Sequence, residues 1–70
     1  MNILVFKTNI RYKKQLHGIG PQLQNLTGIS RWNFDLTDRD RILRIEATNV
    51  VPSTIENLFR KAGYFCEELD

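Results

Sequence analysis

Two alternating apolar runs joined by a short polar turn constrain this chain more than anything else in it. Between residues 31 and 37, Trp32, Phe34 and Leu36 alternate with Asn33 and Asp35. Between residues 41 and 47, Leu43, Ile45 and Ala47 share one face and Ile42, Arg44 and Glu46 the other. A period of two puts successive side chains on opposite faces of a strand. Asp38-Arg39-Asp40 supplies turn residues between the runs. The segment therefore reads as a β-hairpin with one buried face.

A lone hairpin is marginal in water, so the rest of the chain must cover it. Residues 3 to 10 read as a strand, with Leu4, Phe6, Thr8 and Ile10 on one face and Lys7 and Asn9 on the other. Residues 12 to 27 carry the helical stripe Leu16, Ile19, Leu23 and Leu26, with Gly28 as its stop. Gly18-Ile19-Gly20-Pro21 leaves two readings of that helix. Either it kinks at an interior proline that costs about 3 kcal/mol, or it starts at Gly20 with Pro21 in its first position. The second reading leaves residues 11 to 19 as a loop.

Residues 54 to 62 predict a second helix. Ser53 and Glu56 have the spacing of a capping box, Ile55, Leu58, Phe59 and Ala62 form the apolar stripe, and Gly63 ends it. Tyr64 to Leu69 reads as a short last strand. The order is strand, helix, strand, strand, helix, strand. Right-handed crossovers then favour a ferredoxin-like α+β domain over residues 1 to 70, a four-stranded antiparallel sheet with two helices on one face. Strands 31–37 and 64–69 fall at its edges, which permits a homodimer by edge pairing.

Composition narrows the chemistry. Cys66 is the only cysteine, which excludes an internal disulfide and a four-cysteine zinc site and points to a reducing, cytoplasmic setting. The apolar opening Ile3-Leu4-Val5-Phe6 stops at Lys7 without a signal-type cleavage site. No stretch approaches the roughly 18 apolar residues of a membrane span, so no membrane is expected. A net charge of +2 is too small to argue for nucleic acid. The run 41–47 also lacks the stacking aromatics of RNA-binding sheets. No nucleophile stands beside a base, and Arg11-Tyr12-Lys13-Lys14 lacks the glycines of the phosphate cradle in acylphosphatases, which share this topology. Neither catalysis nor a cofactor is expected.

Several stretches together resemble one family. Phe6-Lys7-Thr8-Asn9-Ile10 is similar to the first strand of heavy-metal-associated domains, the small modules of copper chaperones and metal-transporting ATPases. Ile19, Leu23, Leu26 and Gly28-Ile29 fall where that family has its helix apolar residues and its Gly-Val step. Trp32 to Leu36 resembles its second strand, and Ile55, Leu58 and Ala62-Gly63-Tyr64 its last helix and Gly-Tyr turn. The resemblance spans residues 3 to 69. It implies that the family's Cys-x-x-Cys pair falls at Tyr12 and Gln15. A phenol and a neutral amide do not replace two thiolates as soft ligands for Cu(I), and Lys13 and Lys14 repel cations. The resemblance thus implies a degenerate member: a non-catalytic interaction or regulatory module linked to metal homeostasis. Residual metal binding or transport through Cys66, His17 or a dimer interface is the alternative.

The remaining candidates have plainer readings. Cys66 reads as an inward thiol that packs as a small hydrophobe. His17 lies off the apolar stripe and has no second ligand. Met1 is not counted as a ligand. Tyr12 either fills the space a metal would occupy or lies in solvent. In this topology Arg11, Lys13, Lys14, Arg39, Arg41, Arg60 and Lys61 collect at one pole, seven of the ten basic residues. With Tyr12, Gln15 and Tyr64 they form the candidate surface for an acidic partner, such as a metal-transport domain, or for an anion. Ordinary solvated charge is the competing reading.

Overall fold

Apolar residues at every second position build the sheet. The computed structural model describes residues 2–69; Met1 and Asp70 lie outside them. Strand β1 spans Asn2–Thr8, β2 Ile29–Asp35, β3 Ile42–Ala47 and β4 Cys66–Glu68. Helix α1 spans Leu16–Gln24, entered through a 3₁₀ turn at Lys13–Gln15, and α2 spans Pro52–Lys61. The sheet runs β2-β3-β1-β4, antiparallel at each junction. This is the ferredoxin-like βαββαβ arrangement.

The inward face follows the period-two pattern. Leu4 pairs with Ile45 and Phe6 with Leu43 across β1 and β3, and Trp32 and Phe34 continue the two rows on β2. Ile19 and Leu23 of α1 and Ile55 and Phe59 of α2 are fully buried against this face. Phe34 meets Trp32 edge-on at 6.0 Å and Phe59 at 6.2 Å, so aromatic contacts join sheet and second helix. Fully burying one such side chain stabilises by about 1.5–3 kcal/mol.

Pro21 sits inside α1, so the helix contains its proline and the start at Gly20 does not hold. The proline leaves the His17 carbonyl without its helical donor, and His17 is exposed to water. Gly20 has a steric reason: a Cβ there would lie 3.3 Å from two carbons of the Trp32 ring. The helix stops at Gln24 rather than 27: Asn25 is its C-cap, and the Leu26 N–H donates three residues back to the Leu23 carbonyl at 3.2 Å in a tightened last turn. Gly28 then adopts φ +98°, and a Cβ on it would fall 2.5 Å from the Thr48 carbonyl oxygen. That approach lets the Thr48 N–H donate to the Gly28 carbonyl at 2.8 Å.

Helix α2 starts two residues earlier than its sequence pattern suggested. Val51 is its N-cap and Pro52 its first residue, whose preset φ and missing N–H suit that place. The expected Ser53–Glu56 capping box is absent. The Glu56 carboxylate instead accepts the Glu68 backbone N–H at 3.0 Å, tying α2 to β4. The helix ends in a Schellman turn: Gly63 N–H donates to the Arg60 carbonyl and Tyr64 N–H to the Phe59 carbonyl. Ala62 is exposed, so the apolar stripe ends at Phe59.

Candidate functional site

One end of the sheet collects three connections. There β1 gives way to the loop before α1, the β2–β3 turn closes, and the Schellman turn of α2 leads into β4. Thr8, 5% exposed, ties two of them. Its hydroxyl donates to the Arg41 carbonyl at 2.7 Å and accepts the Ile10 N–H at 3.2 Å. Asn9 ties in the third, its side-chain oxygen accepting the Phe65 N–H at 3.0 Å.

The corner between β1 and α1 is held by Gln15. Its side-chain oxygen accepts both the Arg11 and the Tyr12 N–H, each at 2.8 Å. The Gln15 N–H returns a bond to the Tyr12 carbonyl at 3.0 Å. This is the acceptor half of a capping box, with glutamine in the third position of the turn. Tyr12 stands at the N-cap position of the same turn without a side-chain cap bond, 59% exposed, with the Lys14 ammonium 5.8 Å from its ring centre. That separation is the range of a cation–π contact. Tyr12 therefore points to solvent and fills no interior space.

Donor chemistry at this corner does not fit a soft metal. The one oxygen of Gln15 is engaged, Tyr12 offers a phenol, and the flanking groups are cations. Cys66, half-buried, packs from β4 against the core. Burial first, and the Glu56 carboxylate second, push its thiol up to about 12. At neutral pH it is held as the protonated thiol, which makes it a poor nucleophile. His17 is exposed at the start of α1. Among the described residues no three of His, Cys, Asp and Glu gather as a metal site would require. Among the described residues no helix is long and apolar enough to cross a membrane.

The basic candidates divide by what their side chains touch. Arg11, Lys13, Lys14 and Arg39 are exposed around the loop and the hairpin turn. Arg60 is exposed and donates to the Asn57 side chain at 3.1 Å. Lys61 borders the groove between the helices, beside Gln22 and Leu58. Arg41 is different. It has φ 51°, uncommon for a side chain with a Cβ, and its guanidinium donates to the Leu36 carbonyl. It clamps its own turn. Tyr64 packs against the core.

Three features of this end were not visible from residue types alone: the Gln15 clamp, the Thr8 tie, and Phe65, an exposed aromatic beside the loop. The clamp had a signal, since glutamine three residues after a turn start is half of a known capping pattern.

Solved structures share this architecture from end to end. The yeast copper transporter domain Ccc2a, in its apo and Cu(I)-loaded states, matches with a TM-score of 0.85 at 18% identity, over 100% of this chain and 97% of that one. A copper-binding domain from HMA7, a P-type ATPase, matches with a TM-score of 0.83 at 15% identity, over 100% and 96%. The chain has the fold of the heavy-metal-associated domains. The same fold is matched in the Atx1–Cu(I)–Ccc2a complex, with a TM-score of 0.84 at 18% identity over 100% and 97%. No family model matches the sequence, and no curated protein does. At these identities what is shared is the backbone of the heavy-metal-associated fold, so function is argued from this chain's own side chains.

Proposed function

We propose that this chain is a heavy-metal-associated domain that no longer clasps metal and serves as a non-catalytic, cytoplasmic interaction module in metal handling. One observation carries this reading. At the corner where the resemblance puts the family's two thiolates, the Gln15 side chain is bonded to the backbone of its own loop. A ligand position has become a structural clamp. Around it the exposed cations Arg11, Lys13, Lys14, Arg39 and Arg60 supply a positive end that steers toward acidic surfaces. Such domains meet other proteins in metal handling, as the Atx1–Cu(I)–Ccc2a complex illustrates. An acidic face on a metal-transport domain is the partner whose charge fits.

Two measurements test it. Cu(I) supplied against a competing chelator should leave no metal on the wild-type chain, while a Tyr12→Cys/Gln15→Cys variant should retain about one ion. Wild-type retention, or no gain in the variant, refutes the reading of the corner. The second is a titration with an acidic metal-transport domain, read by backbone amide shifts. Shifts should centre on Arg11, Lys13, Lys14 and Arg60 and fade as salt approaches ~0.5 M, where the Debye length falls to a few ångströms.

A further inference from the structure

Strand β2 ends the sheet, so one side of its backbone has no strand beside it. The ladder fixes which groups face outward. The Leu69 N–H donates to the Val5 carbonyl at 2.8 Å, so Val5 turns its backbone toward β4. Successive residues of an antiparallel strand turn opposite ways. Leu4 and Phe6 therefore turn toward β3, and their partners Ile45 and Leu43 toward β1. Ile42 and Arg44 then face β2, where they meet Asp35 and Asn33. Trp32 and Phe34 are left aiming their N–H and C=O groups at the open edge.

The side chains along this edge are self-complementary. Trp32 and Phe34, on the helix side, line a largely apolar groove of about 530 Å³ with Leu16 and Leu36, bordered by Lys13 and His17. Arg31 and Asp35, on the opposite face, are exposed; Arg31 makes a long 3.7 Å ion pair with Glu46, and one Asp35 oxygen accepts from Thr37, which leaves its other oxygen for a partner. A two-fold axis through Asn33 would set each strand antiparallel to its copy. It places Trp32 opposite Phe34 of the second copy and Arg31 opposite Asp35 of the second copy. The two Trp–Phe pairs are then the hydrogen-bonded ones, so the four free backbone groups of each strand find partners. The two Arg–Asp pairs fall at non-hydrogen-bonded positions, where side chains approach most closely. The backbone phase, the aromatic pairs and the charge pairs agree on one register.

We propose that β2 is a homodimerisation edge: two copies join antiparallel about Asn33 into an eight-stranded sheet, held by reciprocal Arg31–Asp35 pairs. The contact is isologous and closes on itself. One short strand covers less than the roughly 1,200 Å² of a stable interface, so the dimer is weak. The Gln15 side chain, bonded to its own loop, takes no part in the register, and the chelator in the test separates this contact from a metal-bridged one.

Sedimentation equilibrium of the full chain up to ~1 mM tests it, with chelator present. The wild type should show a monomer–dimer equilibrium. Arg31→Asp and Asp35→Arg should each weaken it about tenfold, or 1.4 kcal/mol, by setting like charges face to face. An equimolar mixture of the two variants should recover association, because an all-acidic strand then meets an all-basic one. A wild type that stays monomeric overturns the proposal and leaves the edge to a strand of another protein. Variants that associate as the wild type does also overturn it, since the contact then lies elsewhere. Amide exchange on the wild type gives a readout without mutation. The Trp32 and Phe34 N–H groups should exchange more slowly at high concentration, and unchanged exchange there contradicts the register.

Discussion

Helix α2 carries its own start and stop, whereas α1 takes both from residues around it. In α2 a proline opens the first turn, Arg60 and Lys61 sit in the last turn where the dipole favours cations, and a left-handed Gly63 closes the end. In α1 three of the nine residues are Gly18, Gly20 and Pro21. Two glycines and an interior proline disfavour a helix by about 5 kcal/mol relative to alanine. It forms because Ile19 and Leu23 are buried, because Gly20 admits the Trp32 ring, and because Gln15 holds the preceding turn. A helix made by its surroundings loosens first when they change. In this protein that helix borders the candidate site, while the self-sufficient helix stands behind it as a buttress.

The contrast can be attacked from both sides. Phe59→Ala on α2 should have the largest effect, a loss of about 3–5 kcal/mol, because it empties a fully buried aromatic site that also supports Phe34. Chemical denaturation reads it directly, and a small loss would mean that α2 is not the buttress. Gln15→Ala should cost about 1 kcal/mol, in the range of a lost cap. Its sharper signature is local: faster amide exchange at Arg11 and Tyr12, with the core of α2 unmoved. Gly18→Ala should run the other way. Nothing lies within 4 Å of a Cβ there, so the helix gains about 0.5–1 kcal/mol and the melting temperature rises by several degrees. A fall would show that Gly18 has a packing role hidden from the folded chain.

The smallest change at neutral pH belongs to Cys66→Ala, under about 1 kcal/mol for a half-exposed group of this size. Its effect grows with alkalinity. The folded chain holds the Cys66 proton more tightly than the unfolded chain, with the pKa raised from 9.0 to about 12. Native stability should therefore be flat below about pH 9 and fall as pH rises toward 12. The variant should lack that part of the decline. Equal slopes in both proteins would place the alkaline loss elsewhere.

Much of this architecture could be read from residue types, for physical reasons that also mark where reading fails. Leu4, Phe6, Leu43 and Ile45 declared the inward face because a strand allows only two directions for a side chain. The edges followed from topology. The start of α2 was misread because Ser53 and Glu56 have the right spacing but Glu56 is engaged by Glu68, twelve residues away and on another element. Spacing shows only neighbours in sequence. For the same reason Arg41 passed for one more surface cation, although its left-handed backbone and its bond to Leu36 make it part of the turn. At the site, the cations and the two positions Tyr12 and Gln15 were legible. What Gln15 does there was masked, since a tyrosine stands where serine or threonine usually announces a capping box.

The place of β1 in the sheet has a consequence for how the chain is made. Its residues 2–8 pair with 42–47 on one side and with 66–68 on the other. On the ribosome β1 is made before either of its partners, while the hairpin 29–47 closes locally and early. Contacts so distant in sequence slow folding. Until residues 42–47 emerge, the nascent chain carries an unpaired Ile-Leu-Val-Phe segment, and its lifetime in that state sets its exposure to chaperones and to aggregation.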